Sequence, residues 1–520
     1  MSRYAPSVHE SAIPQRPQRT SATSAADLAV WLGSGTDVAV HGDLDVPVSG
    51  ISLSTARIRP GDLYAALPGA RAHGADFAER ALAAGAVGVL TDPSGLHRLP
   101  PGTPALVVAE PRRVLGRLAA RIYGDPAARL RVIGVTGTQG KTTTTRLLEQ
   151  GLTASGLSAA VIGTVGTRIA GEDVKTELTT PEAPDLHGLF AVMVERGVDT
   201  CAMEVSSQGL VLGRVDGVVF DVATFLNLGR DHLDFHADID DYFAAKADLF
   251  TPERARIGLT NVDDEFGRRL LDVATIPMST YSSQGRDADW RAIDVDLTPT
   301  GAAFTVRGPG VELVASIHLP GEFNVSNALA AIASAAMAGL DPRVVADGIS
   351  RVDGVPGRLE PVAQGQDYTV VVDYAHKPDA LEAVLATLRP LTQGQVIVVI
   401  GAGGDRDTIK RPLMGEIGAR LADVLIVTDD NPRTEDAATI RSAVLDGTGA
   451  GRAEVLEVGD RRLAIREGVR RAEPGDVLLI AGKGHESGQE VDGVVHPFDD
   501  RVVAAEEIVA AMQDSGGVAT

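Results

Sequence analysis

A glycine-rich run, Gly134-Val135-Thr136-Gly137-Thr138-Gln139-Gly140-Lys141-Thr142-Thr143-Thr144, follows the apolar stretch Leu130-Arg131-Val132-Ile133 and opens the helix-like segment Thr145-Arg146-Leu147-Leu148-Glu149. Strand, glycine turn and helix start in that order let backbone amides surround phosphate oxygens while the helix N-terminus adds positive potential. Lys141 would reach the terminal phosphates of ATP and the Thr142 hydroxyl would bind Mg²⁺, with Gly134, Thr136, Gly137, Thr138, Gln139, Gly140 and Thr143 forming the cradle. The strict Walker spacing puts its first glycine at position 135, where this chain has Val135, so the loop is a variant. The alternative is an ordinary glycine-rich turn.

Other residues offer chemistry at the ends of apolar runs. Glu204 follows Thr200-Cys201-Ala202-Met203 and is a candidate Mg²⁺ ligand, or a carboxylate on a strand-end loop. The stretch 227–236 is dense in oxygen and imidazole donors; it suits metal or phosphate chemistry, or a polar loop that caps a helix. Lys246, on a helix with Tyr242, Phe243, Leu249 and Phe250, reads as an ordinary surface lysine. Asn324, ahead of the Ala-rich segment 328–338, recognises a base edge or caps the helix. The loop 68–74, with Ala70, Arg71 and Ala72, suits a phosphorylated ligand or is only a loop.

These residues need elements to hold them. A chain of 520 residues implies about three domains, and turn signals at Gly124-Asp125-Pro126 and 353–358 divide it into a loose tail 1–25 and regions 26–127, 128–354 and 355–520. The first region reads as a small α/β domain. Strands near Val132, 160–162, 201–204 and 219–225, separated by helices, predict a mostly parallel sheet with the phosphate loop at a strand's carboxyl end. The last region alternates strand and helix as a doubly wound α/β domain. Its strand ends carry 373–376, 401–406, 429–433 and 482–486. Arg406 stands where a dinucleotide fingerprint has its third glycine, which argues against a dehydrogenase.

Composition limits the partners. Lysine plus arginine number 48 against 70 acidic residues, a formal charge of −22, which repels nucleic acid and anionic membrane surfaces. Cys201 is the only cysteine, so no internal disulfide forms and a reducing cytoplasm is favoured; it reads as core filler. No apolar run approaches the roughly 18 residues of a membrane span, and the Ser/Pro/Arg-rich start has no signal-peptide core.

The phosphate loop, Glu204-Val205-Ser206-Ser207, 227–236, Lys246, 321–327, 373–378 and the last three strand-end motifs together resemble, in order and spacing, the Mur ligases of peptidoglycan synthesis. The resemblance implies a uridine-nucleotide domain, a central P-loop ATPase and a C-terminal Rossmann-like domain that admits an amino acid. It implies phosphorylation of the D-glutamate carboxylate of UDP-N-acetylmuramoyl-L-alanyl-D-glutamate by ATP, then attack by the amine of meso-diaminopimelate, in a cytoplasmic monomer. Lys141, Glu204, His232 and Lys246 fall at catalytic positions. Thr142, Glu204, His232 and Lys246 fall at magnesium-related ones, Lys246 as a CO₂-derived carbamate. Asn324, Arg358 and Asp373 match positions near the adenosine. Leu53, Thr55, Ala70, Arg71, Ala72, Thr179, Thr180, Ser206 and Arg214 match the muramyl-dipeptide site. Arg406, Asp430, Asn431, Pro432, Arg433, Gly482 and Glu486 match the diaminopimelate pocket. Ser54-Thr55-Ala56 replaces the family's Asp-Ser-Arg, and Gln208 its usual His. The competing readings are a lysine-adding or folylpolyglutamate-type ligase of the same superfamily and a non-catalytic nucleotide-binding relative.

Overall fold

The computed structural model describes residues 14–232 and 235–516. Leu233 and Asp234 of the 227–236 stretch, and residues 1–13 of the expected tail, lie outside the described residues.

Each region is built on its own sheet. The N-terminal sheet has the order Ala39–His41, Ala105–Val107, Gly88–Thr91, Asp62–Ala65, Gly50–Ser52, parallel except for the first pair. The loops holding 53–55 and 70–72 leave the carboxyl ends of two neighbouring parallel strands, Gly50–Ser52 and Asp62–Ala65.

The central sheet has eleven strands. Its parallel part runs Ala159–Gly163, Thr200–Glu204, Arg131–Thr136, Phe220–Phe225, Ala255–Asn261, Met278–Ser282, so the phosphate-loop strand lies in the interior. The strand's alternation sorts its side chains onto two faces. Val132 packs with Leu186, Phe190 and Phe220 on one side. Ile133 and Val135 pack on the other with Leu147, Leu148 and the Ala-rich helix Glu322–Met337. That helix begins earlier than the sequence pattern predicts and includes Asn324 and Asn327. An antiparallel meander, Trp290–Thr298, Gly301–Gly308 and Val311–Ile317, extends one edge of the sheet; the sequence reading did not contain it.

The third sheet has the order Glu360–Pro361, Thr369–Asp373, Val477–Ala481, Val396–Ile400, Val424–Val427, Glu454–Glu457, all parallel except the first pair. Apolar clusters cover both faces, as a doubly wound domain requires.

The expectation of a loose tail through residue 25 fails for 14–25. Arg16 is 8% exposed and ion-paired to Asp62, Thr23–Ser24 pairs with Pro47–Val48, and Ser24 caps helix Ala25–Gly33. Composition cannot register a buried ion pair or a two-residue strand pairing, which together hold the segment. Cys201 is fully buried and burial pushes its thiol up, consistent with core filler. Among the described residues no helix is long and apolar enough to cross a membrane.

Candidate active site

The phosphate loop leaves strand Arg131–Thr136 and enters helix Lys141–Ala154. Gly140 has φ +85°, which favours glycine, and a Cβ there would lie 2.3 Å from Asn327 Oδ1 and displace that side chain. Gly134 is different. It sits inside the strand, where a Cβ would lie 2.7 Å from the Phe220 ring. This corrects its placement in the phosphate cradle: its bareness serves packing. Asn227 braces the loop, its Oδ1 accepting from the amides of Thr138 (3.2 Å) and Gln139 (2.9 Å).

Lys141 curls over its own loop, Nζ donating to Gly137 O at 2.7 Å and Thr138 O at 3.1 Å. Lys246 Nζ donates to that same Gly137 carbonyl at 3.1 Å and lies 4.6 Å from the centre of the Tyr242 ring. The surface-lysine reading of Lys246 is therefore wrong, for the residue is 1% exposed; its helix turns this face toward the loop. Burial, then repulsion from Lys141, lowers Lys246 well below an ordinary amine. Burial lowers Lys141 too, against the pull of Glu204 and Asp231.

Glu204 ends its strand in register with Val135, beside the loop. Thr164 holds both carboxylate oxygens, its amide at 2.9 Å and its hydroxyl at 3.0 Å. The same hydroxyl meets Thr179 Oγ1 at 3.0 Å. His232 has φ +54°, and burial keeps its imidazole neutral-leaning, with Asp231 opposing and three lysines, 377, 141 and 246, adding to the effect. Lys377 reaches across from the third region to Asp231 at 2.7 Å. Burial alone would raise the Asp231 carboxyl, but Lys377 and His232 hold it below its usual value.

The residues expected near adenosine separate. Arg358 Nη2 donates to Thr142 Oγ1 at 3.3 Å, and its guanidinium lies over Tyr374. That places it at the phosphate end. Asp373 accepts from the amides of Leu359 and Ala375, both at 2.8 Å, and burial raises its carboxyl. Asn324 spends its amide on Pro320 O (2.8 Å) and its oxygen on Asn327 (3.2 Å). A cavity of about 310 Å³ opens beside Gln139 and Gly140, lined by Asn327, Phe323, Ser326 and Tyr281 rather than by Asn324. The sequence reading missed Asn327, although it lies within the 321–327 motif.

A second cluster joins the first two regions. Thr180 Oγ1 donates to Glu204 O at 3.0 Å and accepts from the Ser206 amide at 3.0 Å. Arg214 bonds Glu182 at 2.9 Å, and Arg112 of the N-terminal region meets the same carboxylate at 3.1 Å. Thr55 begins the short turn Thr55–Arg57, and Arg57 pairs with Asp185 of the central region at 3.1 Å. Ala70, Arg71 and Ala72 are exposed on their loop.

The third cluster forms at adjacent strand ends. Asn431 Oδ1 accepts from Lys483 Nζ at 3.0 Å, while its amide donates to Glu486 Oε2 at 3.0 Å. Gly482, at φ +115°, passes so close to Asp430 that a Cβ would lie 2.7 Å from Oδ2. Arg433, in the left-handed region at φ +53°, donates to Gly404 O at 2.6 Å and pairs with Glu490 at 3.2 Å. Pro432 backs onto Gly404, and Arg406 is exposed on the facing loop. Lys483 was missed as a candidate although it stands between two chosen residues; it is completely buried.

Three family patterns match in succession: Mur ligase family, catalytic domain, at 47–123; Mur ligase middle domain at 135–335; and Mur ligase, glutamate ligase domain, at 357–484. The UDP-N-acetylmuramoyl-L-alanyl-D-glutamate--2,6-diaminopimelate ligase of Streptomyces avermitilis is 54% identical, covering 95% of this chain and 98% of its own. The protein of the same description from Corynebacterium glutamicum is 49% identical, over 93% and 95%. A solved structure of such a ligase is 33% identical with a TM-score of 0.68, covering 95% of this chain and all of its own. With the three-sheet architecture and the phosphate loop at its centre, these matches establish that the chain belongs to the Mur ligase family of ATP-dependent ligases.

Proposed function

We propose that the protein joins meso-2,6-diaminopimelate to UDP-N-acetylmuramoyl-L-alanyl-D-glutamate at the expense of ATP, acting in the cytoplasm as a monomer. The observation that carries this reading is the third cluster. Asn431, Lys483 and Glu486 are bonded into one unit, with Arg433 beside it and Arg406 on the facing loop. Such a set suits a ligand bearing both an amine and a carboxylate at its far end. An arginine prepared for that carboxylate is left unpaired by lysine.

A carboxylate is a poor acyl donor. Transfer of the γ-phosphoryl group to it makes an acyl phosphate; the diaminopimelate amine then attacks the acyl carbon and phosphate departs. Lys141 and Arg358, both at the mouth of the loop, offset charge on the transferred group. Thr179, Thr180, Ser206 and Arg214 hold the dipeptide end, with Leu53, Thr55 and 70–72 on its nucleotide. The base enters the cavity lined by Phe323 and Asn327.

The donor set suits Mg²⁺. Among the described residues no three His, Cys, Asp or Glu side chains gather into a site, and Mg²⁺ is commonly held by few carboxylates together with substrate phosphates. Thr142 and Glu204, with His232 close by, would hold it, and it would neutralise phosphate charge. Lys246 suits carbamate formation because burial lowers its amine well below an ordinary lysine and so favours the neutral form, which attacks CO₂ with loss of a proton. The product places an anion beside Lys141, since both amines donate to Gly137 O.

The test is catalytic efficiency with diaminopimelate against lysine. We expect discrimination of about 10⁴-fold, the scale set by charged hydrogen bonds left unmade. Equal efficiency with lysine overturns the assignment, and phosphate release with either substrate omitted overturns the ligase reading.

A further inference from the structure

Residues 15–19 run along helix Ala183–Glu195 of the central region. Gly188 lies against Gln15 O, where a Cβ would come within 3.2 Å, and the amides of Gln18 and Arg19 donate to Glu195 at 3.1 and 2.9 Å. Gln15 also donates to Lys175 O. From this backbone, fixed on one region, the Arg16 side chain plunges into the other. Its Nη1 donates to Asp62 Oδ2 at 2.6 Å and its Nη2 to Ile51 O. Asp62 also accepts from Arg59 N at 2.7 Å, so one carboxylate joins the guanidinium to the turn between two N-terminal strands.

Both ends of this strap are next to residues assigned to the muramyl-dipeptide substrate. Ile51 is two residues before Leu53 and four before Thr55, on the same strand and loop. The helix under the strap begins at Ala183, just past Thr179 and Thr180. The Arg57–Asp185 pair closes the same junction from the substrate side. We propose that Arg16 is a positioning residue for the nucleotide-dipeptide: through Ile51 and Asp62 it sets how the N-terminal loops face Thr179 and Thr180 across the domain junction. This rests on the placement of that substrate given above.

The test is steady-state kinetics of the full-length enzyme, with tryptic cleavage at Arg19–Thr20 followed in parallel. Arg16→Ala is expected to raise KM for UDP-N-acetylmuramoyl-L-alanyl-D-glutamate roughly tenfold, the scale of a small misplacement, while kcat and the KM for ATP stay within about twofold. Arg16→Lys keeps the charge but not the fork and should fall between. Cleavage should be faster in Arg16→Ala and slowed by the nucleotide-dipeptide. If Arg16→Ala does not fold, Glu195→Ala frees the strap amides without disturbing the buried guanidinium and should raise the same KM about threefold. Faster cleavage with an unchanged KM makes the strap a matter of stability alone and overturns the proposal. Thr180→Ala separates the two readings: a raised KM there with none in the strap variants overturns only the strap, and no change in either overturns the substrate placement as well.

Discussion

Lys246 shows how burial makes a residue's chemistry. A lysine in water is a cation that does not react with CO₂; here desolvation, then repulsion from Lys141 on the same carbonyl, lowers it well below an ordinary amine and favours the neutral form. Lys246→Ala should lower kcat by about 100-fold, the scale of losing one charged group aimed at the reacting centre, with part of the rate restored by added short carboxylates. Unchanged kcat would make it a packing residue. His187 is the acid-sensitive counterpart. It is fully buried, its Nε2 is 2.9 Å from Asp216 O, its Nδ1 has no hydrogen-bond partner, and burial depresses it to about 4. The unfolded chain takes up a proton here near pH 6.5 and the folded chain only near 4. Stability from this group is therefore complete above pH 6.5 and declines as pH falls through the window, by about 3 kcal/mol at its foot. Melting temperature against pH should show that decline, and His187→Gln should flatten it.

At the scale of elements, the glycine inside the loop strand and the one just before the helix give opposite predictions. Gly134→Ala drives a methyl into Phe220 and should cost about 1–3 kcal/mol of stability by overpacking, with the KM for ATP nearly unchanged. Gly140→Ala should instead raise the KM for ATP, since it distorts the turn itself. Denaturant titration beside ATP kinetics on both variants checks this; reversed effects would return Gly134 to the phosphates. The strands were legible where burial is complete. Val396–Ile400 and Val424–Val427 coincide with unbroken apolar runs directly ahead of the strand-end motifs 401–406 and 429–433, because a strand covered on both faces reads as such a run between turns. The meander was not legible. Trp290–Thr298 carries Asp294 and Asp296 facing out, a residue type depleted in strands, and an irregularity between Ile293 and Asp296 breaks its period of two. The same limit applied in the site. Motifs located 321–327 and 482–486, but which asparagine faces the cavity, and that Lys483 is buried, depend on neighbours far along the chain.

Over the whole molecule, the three sheets converge through few side chains. The Lys377–Asp231 bond ties the third region to the second beside His232 and Lys141. With Lys377 44% exposed, the pair adds about 1 kcal/mol at most to stability, yet that much would change the population of any arrangement in which the two regions part roughly fivefold. Lys377→Gln should leave the melting temperature almost unchanged, raise the radius of gyration in solution scattering, and lower kcat/KM for the amino acid; high salt should do the same to the unaltered protein. A radius of gyration equal to that of the parent would show that this pair does not hold the regions together.

The strap at residues 15–19 also bears on how the chain comes to be made. Its second fastening, Glu195, lies 176 positions beyond Arg19. At about 5–20 residues per second, a ribosome takes roughly 9 to 35 s to cross that interval. The last strand of the N-terminal sheet ends at Val107, so that sheet is made before the helix Ala183–Glu195 that receives the strap. The final closure of the first region thus waits for part of the second to be made, and a truncation before residue 195 leaves Arg16 without the backbone that aims it.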